Sequence, residues 1–212
     1  MTSPEVATWL AGELDQAREV LARLTADRAA LATIARVPAL LAQCVRQRGR
    51  ILICGNGGSA CDAAHFAEEL TGRFRGDRPP IAAIACTDVG HVTCTANDYG
   101  FEQVFARWVT ALARPGDVLI VLSTSGSSPN ILRAVEAARA VGAVGAVGAV
   151  GAVKEGGVTC VALLGKGGGK LRGLCDVELA VPGTTSDRIQ EMHMLILHLW
   201  CQGLERELGY VS

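Results

Sequence analysis

Two side chains that could move protons or bind a metal stand four residues apart in the first third of the chain. His65 and Glu69 lie in a run of helix-forming residues. One turn of helix would therefore place an imidazole and a carboxylate on the same face. Such a pair is also common as a plain surface ion pair, so the spacing alone does not decide its role. The segments around the pair have to decide it.

A glycine-rich turn precedes this helix. Residues 55–59 read GNGGS and follow the apolar run 51–53, which has the pattern of a buried strand. Adjacent glycines let the backbone turn sharply and approach a ligand closely, and Ser59 is suited to cap the helix. A phosphate is favoured at such a place because free N–H groups and the helix dipole point at it. A tight strand-to-helix connection would look the same, since glycine motifs alone are weak evidence.

A second candidate phosphate site follows a later predicted strand. Residues 122–130 read LSTSGSSPN and place five hydroxyl groups beside the start of a helix. Hydroxyl and backbone N–H donors can hold a phosphate monoester without arginine. Serine also favours caps and turns, but a cap needs fewer hydroxyls than this loop offers. We therefore predict phosphate binding here. The GxxxxGK[ST] pattern of nucleotide-hydrolysing loops is not found in the sequence.

The segment 187–200, DRIQEMHMLILHLW, carries polar side chains on an otherwise apolar helix. Gln190 and His198 are eight residues apart, so they differ by only about 80° around the helix axis and could line one cavity. A histidine among Leu197, Leu199 and Trp200 could equally be a hydrogen-bonded core residue. The spacing leaves both interpretations open.

Composition and charge exclude several classes of protein. The 212 residues, half of them hydrophobic, suffice for one domain with a substantial core. Twenty basic and 21 acidic residues give a net charge of −1 without a basic run, which argues against nucleic acid as a partner. The eight cysteines form no CxxC pair, so neither a zinc–thiolate site nor a disulfide framework is expected. We expect a cytoplasmic protein without a membrane partner, because we find neither an uninterrupted membrane-length apolar stretch nor a signal peptide.

The elements that must position these residues alternate between strand and helix. Residues 4–48 are predicted as two amphipathic helices, and Pro38 should kink or break the second. One small sheet cannot bury the apolar faces of both helices, which favours an oligomer interface; packing on the chain's own core is the alternative. Alternation further along indicates a parallel sheet with ligands at the carboxyl ends of its strands. Strands are predicted at 50–54, 81–86, 117–123, 158–164 and 176–181, and helices at 59–73, 100–113, 128–140 and 187–208.

Residues 141–153 read VGAVGAVGAVGAV. The repeat has glycine at every third position but lacks the proline of a collagen sequence. Each glycine weakens a helix by up to about 1 kcal/mol relative to alanine. We interpret the repeat as an expansion of a helix-to-strand connection, either a frayed helix end or a loop, and predict no function for it.

Four segments together resemble the sugar-isomerase (SIS) domain, and within it the phosphoheptose isomerase family. They are residues 55–74, 96–107, 116–130 and 187–198, in that order. The resemblance covers nearly the whole chain and implies an α/β fold of three layers, with an open, flavodoxin-like, five-stranded parallel sheet. It also implies a homotetramer with active sites at subunit interfaces. Residues 1–48 would then be a helical oligomerisation segment and residues 49–212 the SIS domain, together one folding unit.

The resemblance further implies a reaction, in which sedoheptulose 7-phosphate becomes D-glycero-D-manno-heptose 7-phosphate through an enediol. Glu69 and His198 match the proposed base and acid. His65, Glu69, Gln190 and His198 match a site that binds zinc, one ion per subunit. A carboxylate cannot easily be tight ligand and free base together, so these roles of Glu69 compete and the sequence leaves them open. The matching substrate contacts are Asn56, Gly57, Gly58, Glu69, Asn97, Asp98, Ser123, Thr124, Ser125, Ser128 and Gln190.

Relatives in the same domain family supply a second hypothesis, that of a regulatory protein without catalysis. One branch binds the replication initiator and has asparagine at the position of His198, so the histidine here favours the enzyme. Sugar-phosphate sensors of the family usually carry a DNA-binding segment, and none is visible. The repeat at 141–153 and Ser127, where asparagine is common, depart from the family pattern. Neither matches a catalytic residue.

Overall fold

The computed structural model describes residues 3–141 and 156–211. The strands are β1 (Ile51–Gly55), β2 (Ala83–Ala85), β3 (Val118–Ser123), β4 (Thr159–Gly165) and β5 (Val177–Val181). All five run parallel in the order β2-β1-β3-β4-β5. Because the order reverses at the β1–β3 pair, a crevice is expected outside the carboxyl ends of these two strands.

Helices cover both faces of the sheet. The helices are α1 (Pro4–Ala26), α2 (Arg28–Arg46), α3 (Gly58–Thr71), α4 (Val89–Tyr99), α5 (Val104–Leu112), α6 (Pro129–Ala140) and α7 (Ser186–Glu207). Short 3₁₀ segments at Phe101–Gln103 and Lys166–Leu171 complete the described elements. One buried cluster joins the sheet to α1, α2, α3 and α7, and a second joins it to α5 and α6, with α4 packed at its margin. The predicted three-layer α/β fold is therefore confirmed.

The strands show why this arrangement follows from the sequence. Ile51 and Ile53 of β1 enter the first cluster, whereas Leu52 and Cys54 enter the second. Every residue of β1, β3 and β4 is buried. A continuous apolar run is what a strand covered on both faces requires.

Helix α2 continues through Pro38. Of the predicted kink or break, the break is therefore wrong, and the kink stays a prediction. Pro38 is buried and lies against Gly203 of α7, where an added Cβ would come within 2.5 Å of the proline ring. Trp200 of α7 also donates from Nε1 to the carbonyl of Ile34, at 3.1 Å. Packing of α2 on α7 thus offsets the backbone hydrogen bond that proline cannot make.

The two N-terminal helices differ in how they are covered. Helix α2 packs in the chain's own core, which is the predicted alternative to an oligomer interface. By length and composition it could also cross a membrane, but 44% of its apolar window is buried inside the domain, which favours a core helix. Helix α1 is attached through Val20 and Leu24, while Leu10 and Leu14 of its apolar stripe are 47% and 63% exposed. The division at residue 48 stays a prediction.

Two further differences concern the middle of the chain. Helix α4 was not predicted, and the helix predicted at 100–113 begins only at Val104, after Gly100 at φ 89° and a 3₁₀ turn. The repeat at 141–153 lies outside the described residues except for Val141. The other elements lie within a few residues of their predicted bounds.

Candidate active site

The glycine turn between β1 and α3 has the shape expected of an anion site. Gly57 occupies the N-cap position of α3 with φ 57° and ψ −124°, a conformation that favours glycine. A Cβ on Gly55 would come within 2.7 Å of the Ser59 Cβ, so the turn is tight. The prediction of Ser59 as N-cap is wrong, because the turn closes earlier and buries Ser59 inside the first turn of the helix.

An amide pair ties this turn to the serine loop, residues 123–128. Asn56 Nδ2 donates to Asn130 Oδ1 at 2.9 Å, and Asn130 Nδ2 donates back to Asn56 Oδ1 at 2.8 Å. Asn130 is buried in the first turn of α6. Since β1 and β3 are neighbours, the two predicted phosphate-binding segments meet at the carboxyl edge of the sheet.

The serine loop uses two of its hydroxyl oxygens to hold its own shape. Ser123 Oγ accepts from the backbone N–H of Gly126 at 3.0 Å, and Ser125 Oγ accepts from that of Ser127 at 3.2 Å. Thr124 Oγ1 lies 3.1 Å from Ser186 Oγ at the start of α7. A hydroxyl that accepts still has its O–H to donate, so these side chains can also hold a phosphate.

A glycine loop, residues 165–169, lies directly against the serine loop. A Cβ on Gly169 would come within 2.4 Å of the Ser125 carbonyl oxygen. The next residue, Lys170, donates its backbone N–H to Ser127 Oγ at 3.2 Å. The approach is close because the facing residues have no side chain, so the glycine loop holds the backbone of the predicted phosphate-binding loop in place.

His65, Glu69 and His198 come together on the surface of α3 and α7. His65 Nε2 lies 3.1 Å from Glu69 Oε1, and the His65 and His198 rings are 5.1 Å apart between centroids. The His65 side chain is 43% exposed and that of Glu69 15%, so solvent reaches the group. Two of these residues are predicted to bind metal through imidazole nitrogen and one through carboxylate oxygen. The structure brings together three of the four predicted ligands.

The fourth predicted ligand, Gln190, lies elsewhere. It precedes His198 by eight residues, about 12 Å along α7. Its Nε2 is 3.4 Å from Ser59 Oγ, and its amide faces Gly58 so closely that a Cβ there would meet it at 2.7 Å. Gln190 therefore borders the glycine turn, which agrees with its predicted substrate contact. Its role as a metal ligand stays a prediction.

Asn97 and Asp98 lie exposed near the end of α4. Asn97 Nδ2 donates to Asp98 Oδ1 at 2.7 Å, and Cys94 Sγ donates to Asp98 Oδ2 at 3.5 Å. This hydrogen bond, with the Asp98 charge, raises the pKa of the Cys94 thiol. The substrate contacts predicted for Asn97 and Asp98 stay predictions.

Comparison with known proteins decides the family. A sequence profile of the SIS domain matches residues 14–148. A phosphoheptose isomerase from Vibrio parahaemolyticus is 48% identical over 197 residues, which are 92% of this chain and 95% of that protein. The chain belongs to the SIS-domain phosphoheptose isomerase family.

Solved structures of the family show the same fold. A phosphoheptose isomerase from Neisseria gonorrhoeae gives a TM-score of 0.76 at 37% identity, covering 95% of this chain and 97% of that one. One from Francisella tularensis gives 0.79 at 34% identity, covering 97% and 100%. The resemblance drawn from four segments is thereby confirmed, as is the prediction of an isomerase.

Two side chains beside the site were not predicted from the sequence. Asn130 is the last residue of the segment LSTSGSSPN. The available signal was the polar character of this residue on the buried face of α6. Asp62 lies on α3 between the glycine turn and His65; its Oδ2 is buried without a hydrogen-bond partner in the described residues. Burial raises the pKa of the Asp62 carboxyl, and nearby His65 opposes that shift.

Proposed function

We propose that this chain converts sedoheptulose 7-phosphate to D-glycero-D-manno-heptose 7-phosphate as an aldose–ketose isomerase. The observation that carries the proposal is the convergence of Glu69 with two histidines on α3 and α7. The linked glycine turn and serine loop supply the phosphate site that such a substrate needs. Anchoring the phosphate fixes which carbons reach the reacting groups.

The reaction needs one base and one group that carries protons between oxygens. Glu69 removes the proton from C1 of the ketose, and the electron pair forms the C1–C2 double bond while His198 protonates the C2 oxygen. The proton then returns from Glu69 to C2, and His198 takes the proton from the C1 oxygen, which leaves the C1 aldehyde. No atom is gained or lost, as an isomerisation requires.

A divalent metal fits the same three side chains. Their candidate ligand atoms lie within 4.8 Å of one another, and two imidazoles with one carboxylate are a known set for catalytic zinc. We propose one Zn²⁺ per subunit, held before the reaction by His65, Glu69 and His198, with Gln190 as the further candidate. Because tight metal binding and proton transfer compete for Glu69 and His198, these two side chains would have to leave the metal to act as base and acid. When bound, the metal would supply Lewis-acid polarisation of the substrate carbonyl.

We also propose a homotetramer with the active site between subunits. Leu10 and Leu14 expose the apolar stripe of α1, and a surface of this kind calls for a partner. Glu69 follows Gly58 by eleven residues, about 16 Å along α3. Within one chain, the proposed base therefore lies far from the glycine turn. A second subunit that brings its Glu69 to this chain's glycine turn would place a base beside the proposed phosphate site.

The enzyme is favoured over the regulatory alternative. The histidine that discriminates the two branches, His198, lies against His65 rather than in the apolar core. Its neighbour on α7, His193, is the core histidine of this helix. We place the protein in the cytoplasm, because the described cysteines form no disulfide, as is usual in a reducing compartment.

The test is incubation of the purified protein with sedoheptulose 7-phosphate, with the aldose product followed by NMR. We expect aldose to form, a chelator to slow its formation, and added Zn²⁺ to restore it. Absence of aldose in the presence of Zn²⁺ would contradict the proposed activity. Full turnover after exhaustive chelation would contradict the proposed metal site but not the proposed activity.

A further inference from the structure

Arg78 lies buried between the two helices that carry the proposed catalytic pair. It belongs to the segment between α3 and β2, and its side chain is 1% exposed. Its Nε is 2.9 Å from Oε1 of Glu205, whose side chain is equally buried. Glu205 lies on α7, seven residues after His198 and hence two turns further along the helix.

The guanidinium also closes the end of α3. Its Nη1 donates to the carbonyls of Leu70, at 2.7 Å, and Gly72, at 3.2 Å, and its Nη2 donates to the carbonyl of Glu69. The last carbonyls of a helix have no partner within the helix. A cation at this end is also favoured by the helix dipole.

One side chain therefore joins the backbone of Glu69 to the helix of His198. We propose that Arg78 is a positioning residue, which sets the Glu69 carboxylate at the right distance from His198 through its bonds to α3 and to Glu205. The inference rests on the proposed function, because it gives Glu69 a part in the reaction. Arg78 itself touches none of the three clustered side chains through a hydrogen bond in the described residues.

Only arginine meets this geometry. The planar fork offers five N–H donors, and here it serves one carboxylate and several carbonyls at once. Lysine keeps the charge but offers a single nitrogen. Loss of Arg78 alone would leave Glu205 buried and unpaired, which destabilises the fold. The informative variant therefore removes both charges together.

The chain contains a matched control on the opposite face of the sheet. Arg50 Nη2 lies 2.8 Å from Oδ2 of buried Asp117 and donates to the carbonyl of Leu112, the last residue of α5. It is thus a second arginine that pairs with a buried carboxylate and closes a helix. Because α5 packs on the face of the sheet opposite to α3 and α7, this pair lies away from the two helices that carry the proposed catalytic pair.

The experiment compares Arg78→Met/Glu205→Met with Arg50→Met/Asp117→Leu. For each we measure kcat and KM for sedoheptulose 7-phosphate, Zn²⁺ affinity of the metal-free protein, and thermal unfolding. In the Arg78 variant we expect kcat and Zn²⁺ affinity to fall about 10- to 100-fold, as for partners behind a metal site. KM should change little, since the phosphate loops are untouched. The control should lose thermal stability but keep kcat and Zn²⁺ affinity.

Wild-type kcat and Zn²⁺ affinity in the Arg78 variant would overturn the inference, as would equal losses in the control. If the double variant does not fold, Arg78→Lys decides: we expect the same fall in kcat, and full activity would overturn the inference. Glu69→Gln separates this from the underlying function. If Glu69→Gln keeps its turnover, the proposed role of Glu69 is refuted. If Glu69→Gln loses turnover while the Arg78 variant stays fully active, only the positioning role of Arg78 is refuted.

Discussion

The two histidines of α7 have different surroundings: His193 is buried in the core, whereas His198 lies against His65 of α3. The spacing of His65 and Glu69 predicts one helix face for both, and the structure places them 3.1 Å apart. Nothing in the spacing within 187–200 decides whether His193 or His198 is functional, because both stand among apolar residues. Their difference lies in tertiary packing: one enters the core, and the other borders α3. Only family resemblance separated them beforehand.

His193 should make the stability of the protein depend on pH. Burial lowers the pKa of its imidazole from 6.5 to about 4, while Nε2 lies 3.1 Å from the carbonyl of Leu164. Between these pH values the unfolded chain binds the extra proton, so stability is complete above pH 6.5 and falls as pH drops. The loss is about 1.4 kcal/mol per pH unit, roughly 3 kcal/mol in all.

The measurement is urea unfolding from pH 7 to pH 4 at one protein concentration, with His193→Gln as the comparison. The variant should lose most of this slope, since glutamine does not titrate. Parallel pH profiles for the two proteins would show that His193 is not buried as a neutral imidazole.

At the scale of elements, prediction succeeded where one pattern dominates. Strands β1, β3 and β4 are buried along their whole length and were found from apolar runs. Helix α4 was missed because VGHVTCTANDY mixes β-branched and small polar residues without a clear apolar stripe. The available signal was Asp88, whose carboxylate caps this helix by accepting from the backbone N–H of His91 at 2.7 Å.

The glycine loop should be needed for substrate affinity. Gly169→Ala would push a Cβ into the Ser125 carbonyl, so the serine loop must shift. We expect KM for sedoheptulose 7-phosphate to rise about tenfold, which corresponds to ~1.4 kcal/mol. Gly167→Ala is the control, because Gly167 also has a positive φ but faces open space. Steady-state kinetics of both variants test this, and equal KM values would contradict it.

At the scale of the whole molecule, the exposed stripe of α1 should hold subunits together. Leu14→Glu places a charge where we propose an apolar contact, so the tetramer should dissociate to smaller species. Asp15→Lys alters the adjacent, solvent-exposed position and should leave the assembly intact. Analytical ultracentrifugation distinguishes the two. An unchanged mass for Leu14→Glu would remove α1 from the interface.

The chemistry of the whole assembly depends on the carboxylate that α3 presents to His198. The most direct measurement is turnover of sedoheptulose 7-phosphate by Glu69→Gln beside Glu68→Gln, which changes the exposed neighbour on the same helix. We predict that Glu69→Gln loses at least about 100-fold in kcat, the lower range for a positioned acid or base, while folding and assembling normally. Glu68→Gln should stay near the wild-type rate. Equal, undiminished rates for both variants would contradict the account.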